Sequence, residues 1–233
     1  MISSAQIKQI RSLKDKKFRD RSRLFVVEGE KMVREALDSN YTVEAVFRTS
    51  EIGEGAMERI SLLSTPSSAL ALVRMKDGGF PSLRKDGLYL ALDSIRDPGN
   101  MGTILRIADW FGIDGVFASE DSVDIYNPKV VQSTMGAIFR VDFHYCDLER
   151  LCSGNDVTVF GTFLEGDDIY GTDLAADNAR IVVIGNEANG ISERMAALCH
   201  RRITIPSFAS GKGSESLNAA VATAITVSEF RRR

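Results

Sequence analysis

Six short apolar stretches in the last two thirds of the chain leave it few architectures. "LYLALDSI" (88–95), "GVFAS" (115–119), "VDFHYC" (141–146), "TVFGTF" (158–163), "RIVVIGN" (180–186) and "RITIP" (202–206) read as strands. Several are apolar without interruption, the pattern of strands buried on both faces. Helical segments lie between most of them. That succession predicts an α/β domain, a mostly parallel sheet with helices on both faces. Upstream, "RLFVVEG" (strand), "EKMVREALDSN" (helix) and "YTVEAVFRTS" (strand) describe a smaller α/β unit, with Met32, Val33, Ala36 and Leu37 as the helix's buried side. Between the two, "RMKDGGFPSLRKDG" (74–87) gathers Gly, Pro, Ser and charge without periodicity. The expected organisation is therefore a domain over 1–75, a linker over 76–87 and a domain over 88–233.

In a parallel sheet, ligands bind beyond the carboxyl ends of the strands. Three segments there are rich in Gly and small polar residues: "RDPGNMG" (96–102), "GNEANGIS" (185–192) and "PSFASGKGSESLN" (206–218). Three in one domain point to a site. Familiar cofactor loops fail on spacing. "GKGS" (211–214) lacks the Gly that a phosphate-binding loop needs five residues before Gly211, a position held by Pro206. No dinucleotide fingerprint follows the first strand of the sheet, and no G-x-S-x-G elbow is present.

Charge narrows the partners. The chain carries a net charge of −3, which argues against coating nucleic acid over its whole surface. Yet Lys8, Arg11, Lys14, Lys16, Lys17, Arg19, Arg21 and Arg23 face only Asp15 and Asp20 in the same stretch, and Arg231, Arg232 and Arg233 end the chain. Local basic patches on an acidic chain suit a polyanion held at defined places, although a solvated helix face would look the same. Cys146, Cys152 and Cys199 are odd in number and lack metal-ligand spacing, so they read as small buried hydrophobes, with no metal expected. No apolar run approaches the ~18 residues of a membrane span, and the start has no apolar signal core; a cytoplasmic location is expected.

"DPGNMGTILRIADWFG" (97–112) poses a sharper question. Asp97 to Asn100 reads as a turn ending in a helix N-cap at Asn100. Ile104, Ile107, Ala108 and Phe111 then form one apolar stripe, and Arg106 falls on the opposite side, beside Asp109. A purely structural account gives Arg106 a salt bridge to Asp109, Asn100 and Ser216 cap duty, Glu187 a solvated turn, and Gly161, Gly185 and Gly190 ordinary strand-end turns.

These residues also carry a resemblance. "DPGNMGTILRIADWFG", "VVIGNEANGIS" and "IPSFASGKGSESLNAAVA" resemble the three motifs of the SpoU (TrmH) family of RNA ribose 2'-O-methyltransferases, of the SPOUT class. "YNPKVVQSTMGAIFRV" matches a further family stretch, and "KQIRSLKDKKFRDRSRLFVVEGEKMVREAL" is similar to the family's ribosomal-protein-like substrate-binding domain. The resemblance implies a C-terminal trefoil knot, S-adenosylmethionine as cofactor and a homodimer. It implies a ribose in structured RNA as substrate, ribosomal RNA ahead of transfer RNA. A catalytically inactive RNA-binding relative and an unrelated small-molecule-binding protein are the alternatives. It implies that Thr162, Phe163, Leu164, Gly185, Asn186, Ile205 and Leu217 line the cofactor pocket, mostly through backbone groups. Arg106 would face the target ribose in a site shared by two subunits, and Asn100 would position it or the substrate. Glu187 would anchor the arginine or the ribose, Ser216 and Asn218 would order the third loop, and the eight basic residues of 8–23 would hold RNA. The loop between Pro206 and Ser216 is longer here than the family's shortest form, so nothing carries over onto 208–215.

Overall fold

The computed structural model describes residues 2–76, 83–154, 156–209 and 215–232. Along the chain the elements are α1 (Ser4–Ser12), α2 (Lys16–Ser22), β1 (Leu24–Glu28), α3 (Glu30–Asp38), β2 (Val43–Arg48), α4 (Thr49–Ile52), α5 (Glu54–Ile60) and β3 (Ala69–Arg74). Then come β4 (Leu88–Leu92), α6 (Pro98–Trp110), β5 (Gly115–Ala118), α7 (Pro128–Thr134), β6 (Phe143–Tyr145), α8 (Leu148–Cys152), β7 (Val157–Asp168), β8 (Ala179–Ile184), α9 (Glu193–Leu198), β9 (Arg201–Thr204) and α10 (Ala219–Arg232).

Two compact units emerge: Met1–Asp77 with Asp124–Arg140, and Gly78–Val123 with Val141–Arg233. The segment 124–140 thus belongs to the first unit, and no shift in composition marks either of its ends. The first unit holds an antiparallel sheet in the order β1-β3-β2. Its central strand β3 lies outside the two strands expected for this unit. It pairs with β1 from Leu24↔Arg74 to Glu28↔Leu70 and with β2 across a register irregularity between Val43 and Ala45. Under the sheet, Ile10, Leu13, Met57, Ile60, Leu70 and Leu72 form one apolar cluster. The buried side of α3 is Met32, Val33 and Ala36. Leu37, expected among them, is half exposed: at about 100° per residue it lies about 90° round the helix from the centre of that stripe. Helix α7 opens with Asn127 as cap and Pro128 at its first position, and stops at Met135 in the left-handed region (φ 49°). The segment is fixed by Tyr126 on Phe25 (centroids 4.7 Å apart), Phe139 on Tyr41 (5.3 Å), and the Tyr41 hydroxyl donating to the Ile138 carbonyl.

The second unit is the expected parallel α/β domain. Its six strands run in the order β6-β5-β4-β8-β7-β9, and every pairing is parallel. Helices cover both faces: Phe160 of β7 meets Phe230 of α10 edge to face at 5.0 Å, while the neighbouring Val159 packs in the cluster with Cys152 of α8 and Met195 of α9. Helix α10 also packs on α6, and Arg231 ties their ends through the Phe111 and Gly112 carbonyls. From β4 the chain winds outward through β5 and β6, then returns to place β8 directly beside β4. That reversal is the kind of switch point at which loops diverge and leave a crevice. The trefoil knot implied by the resemblance involves the connection between β9 and α10, and residues 210–214 of that connection lie outside the described residues, as do "GKGS" and Arg233. Among the described residues, no helix is long and apolar enough to cross a membrane.

Candidate functional site

Three loops meet beyond the sheet, and one asparagine joins them. The cap of α6 is Asp97, whose Oδ1 accepts from the Asn100 backbone N–H at 2.8 Å; Pro98 then takes the first helical position. The N-cap expected at Asn100 is therefore corrected. The Asp-Pro pair is itself a helix-start signal, since Pro loses nothing where the backbone N–H is free anyway. Asn100, released from capping, is 8% exposed and spends its amide on two other loops. Its Nδ2 donates to Glu187 Oε1 at 2.7 Å, and its Oδ1 accepts from Asn218 Nδ2 at 2.8 Å. Asn218 is also the cap of α10: its Oδ1 accepts from the N–H groups of Ala220 and Val221 at 3.0 and 3.3 Å. The cap duty considered for Ser216 thus falls to Asn218, and Ser216 is exposed two residues earlier.

The 185–192 loop is pinned separately. Asn186 Nδ2 donates to the Ser94 carbonyl at 2.7 Å, and Asn186 Oδ1 accepts from Ala188 and Asn189 N–H. Backbone bonds of 2.9 Å in both directions close Asn186 onto Gly190. A Cβ on Gly185 would lie 2.3 Å from the Gly190 carbonyl carbon, and Gly190 has φ +68°, so both glycines are dictated by close approach or backbone sign. Asp93, buried, accepts from the Ser192 N–H at 2.7 Å.

Arg106 is exposed on α6, and among the described residues no hydrogen bond or ion pair engages its guanidinium. The salt bridge to Asp109 and the anchoring by Glu187 are therefore not made here; Glu187 is held by Asn100 instead. Of the residues expected to line a cofactor pocket, Thr162 is half-buried and donates its hydroxyl to the Val183 carbonyl at 2.9 Å. Phe163 turns the other way, under the Arg202 guanidinium at 3.5 Å. Leu164 is 71% exposed and Leu217 49%, and Ile205 is half-buried. Ser94, Arg202 and Thr204 touch this region without having been singled out in the sequence. A lone serine, arginine or threonine at a strand end carries no periodic signal.

A cavity of about 470 Å³ lies at the carboxyl ends of β4, β5 and β6, apart from the expected residues. Asp93, Glu120, Asp121, Asp147 and Glu149 make its lining acidic. Hydrogen bonds from Ser94 and Ser119 hold the Asp121 carboxyl at a pKa of about 2, so this group favours its anionic form. Burial pushes the thiols of Cys146 and Cys199 up to about 11 and that of Cys152 up to about 12, which fits small packed hydrophobes.

In the first unit, Lys8, Arg11, Lys14, Lys16, Lys17 and Arg21 are exposed, and Arg23 is half-buried. Arg11 donates to the Ser61 carbonyl, Lys16 pairs with Asp20 at 2.9 Å, and Arg23 donates to the Lys76 carbonyl. Arg19 must leave the RNA-binding set. It is 2% exposed and is consumed by an ion pair with Asp124 (2.6 Å) and by the Leu13 and Lys14 carbonyls (2.7 Å each).

Comparison with known proteins adds names to this geometry. The SpoU rRNA Methylase family model matches residues 87–228, and the MRM3-like substrate binding domain matches 4–71. The 23S rRNA (guanosine(2553)-2'-O)-methyltransferase RlmP of Bacillus subtilis is 28% identical over 97% of this chain and 96% of its own. A candidate RNA methyltransferase of the TrmH family from Porphyromonas gingivalis superposes with a TM-score of 0.87 at 38% identity, covering 100% of this chain and 99% of that one. An AdoMet-bound rRNA methyltransferase from Sinorhizobium meliloti gives 0.89 at 28% identity, covering 100% and 96%.

Proposed function

The chain belongs to the SpoU rRNA methylase family, and from that premise we propose that it methylates a ribose 2'-hydroxyl of structured RNA with S-adenosylmethionine. Ribosomal RNA is the favoured substrate, because the Bacillus and Sinorhizobium relatives carry that activity in their names. The observation that carries the reading is the buried Asn100 amide, which ties all three motif loops into one constellation through Glu187 and Asn218.

The residues present fit the cofactor. Leu164 and Leu217 are large apolar side chains left exposed, a cost that an adenosine surface would remove. Gly185 lets the Gly190–Ile191 backbone pack where a Cβ would stand, so the 185–192 loop is tightly folded in advance of binding. Thr162, Phe163, Leu164, Gly185, Asn186, Ile205 and Leu217 would hold the group, Phe163 through its backbone because its ring lies under Arg202. When bound, it supplies a methyl on a cationic sulfur, already activated for transfer.

The protein's task is then to align the 2'-hydroxyl and stabilise charge developing on its oxygen. Arg106 suits this: its guanidinium is unspent, and a planar fork can hold a phosphate and meet an oxyanion. As a permanent cation it acts electrostatically rather than as a base. Asn100 and Asn218 fix the loops, Glu187 offers a second acceptor to the ribose or to Arg106 of another subunit, and Ser216 is free to meet substrate. Residues 1–75, joined by 124–140, serve as the substrate-binding domain and the rest of 88–233 as the methyltransferase domain, with the C-terminal chain knotted. RNA is gripped by Lys8, Arg11, Lys14, Lys16, Lys17, Arg21 and Arg23.

A homodimer completes the site. Trp110 on α6 is 85% exposed and Val221 on the packed neighbour α10 is 48% exposed, an apolar pairing suited to a second copy. A cytoplasmic location is part of the same reading and accords with a ribosomal RNA substrate. Incubation of the protein with labelled S-adenosylmethionine and unmodified total RNA should put label on ribose. Label on a base, or binding of RNA without cofactor binding, would overturn the enzyme reading; the second result marks an inactive relative.

A further inference from the structure

Strand β7 does not run smoothly beside β9. Thr162 and Asp167 both face Ile203, so Phe163, Leu164, Glu165 and Gly166 are extruded between them without a partner in the ladder. A bulge of this kind normally re-aims side chains, and it persists only when something holds its shape. Here β9 supplies three holds. The Arg202 guanidinium lies 3.5 Å from the centre of the Phe163 ring. Gly166 is seated on the Arg202 backbone, where a Cβ would stand 2.6 Å from the carbonyl oxygen. The Thr204 hydroxyl donates to the Leu164 carbonyl at 3.1 Å. Between these holds Leu164 projects outward, 71% exposed. The ring of Phe163 is itself seated, because Gly161 leaves room beneath it that a Cβ would take at 2.4 Å.

We infer that Arg202 and Thr204 are positioning residues for the cofactor: they clamp the Phe163–Gly166 bulge so that Leu164 and the adjoining backbone are preshaped to receive adenosine. This rests on the methyltransferase reading above. Neither residue touches the cofactor in this scheme. Arg202 acts through a ring and Thr204 through a carbonyl, and their effect is to remove the ordering cost that a loose bulge would impose on binding.

The test uses the full chain as wild type, Arg202→Ala, Arg202→Lys, Thr204→Val and the Arg202→Ala/Thr204→Val double variant. Calorimetry with S-adenosylmethionine and amide hydrogen exchange over 163–166 are the readouts. Arg202→Ala should raise Kd about two- to fivefold, the range that an exposed cation–π contact spans. Arg202→Lys should recover part of that loss, and the double variant should lose about tenfold or more. The KM for cofactor should rise in step while kcat at saturating cofactor falls by less than twofold, and exchange should quicken in the bulge but not in β4 or β8. Variants that melt earlier yet bind with wild-type affinity would overturn the inference and leave the clamp merely structural. Failure of the wild type to bind S-adenosylmethionine would overturn the methyltransferase reading, and the clamp's purpose with it.

Discussion

Replacing Arg19 by Ala separates a structural arginine from a nucleic-acid contact. The guanidinium is 2% exposed and makes four hydrogen bonds: Nε and Nη2 to Asp124 at 3.1 and 2.6 Å, and Nη1 to the Leu13 and Lys14 carbonyls. Removing it leaves the Asp124 carboxylate, 11% exposed, without a cation. Asp124 keeps one bond, from the Tyr126 N–H at 3.0 Å, which softens the loss. Breaking a buried pair in this way costs about 3–5 kcal/mol. In a unit of this size, a loss of about 3 kcal/mol lowers the melting temperature by roughly 12–24 °C. Circular dichroism during thermal unfolding reads this directly. A double cycle with Asp124→Ala should show that the two losses do not add, because the partners share one interaction. RNA binding supplies the contrast. Each phosphate contact contributes about 0.7–0.9 to the salt slope of log K. Changing Lys14, Lys16 and Lys17 together to Ala should flatten that slope without lowering the melting temperature, whereas Arg19→Ala, measured while folded, should leave it unaltered. Wild-type melting in Arg19→Ala with a shallower salt slope would refute the reasoning and return Arg19 to the RNA surface.

Arg106→Ala should leave melting almost unchanged, since the side chain is exposed and Ala is the better helix former, while turnover falls about 10²–10³-fold and cofactor affinity persists. Arg106→Lys keeps the charge without the planar fork, so steady-state assays should find it severely impaired as well. Asn100→Asp places a carboxylate where an amide now donates to Glu187 at 2.7 Å; differential scanning calorimetry should show it less stable than Asn100→Ala, with turnover lost in both. The three cysteines titrate at about 11, 12 and 11, above the ordinary thiol value, so the folded state holds these protons more tightly than the unfolded chain. Their contribution to stability is complete below about pH 8.5 and is lost as pH rises toward 11–12, and alkylation of the native protein at neutral pH should be slow.

The sequence determined what depends on side chains a few positions apart. Unbroken apolar runs announced the inner parallel strands β4, β5 and β8, because a strand buried on both faces has no room for alternating polar groups. Gly-rich strand ends announced the loops, and the stripe on α6 placed Arg106 outward. Local pattern did not reveal β3, an apolar run that becomes a strand only once β1 and β2 accept it on either side. Nor could it assign polar partners across the chain. Arg19 looked like one more surface cation in a basic stretch until Asp124, 105 residues away, claimed it. Asn100 looked like a cap until Asp97 took that place and freed its amide for Glu187 and Asn218. Burial along one element is written in its periodicity, whereas the partner of a hydrogen-bonding group is chosen by whichever distant segment the fold brings within about 3 Å.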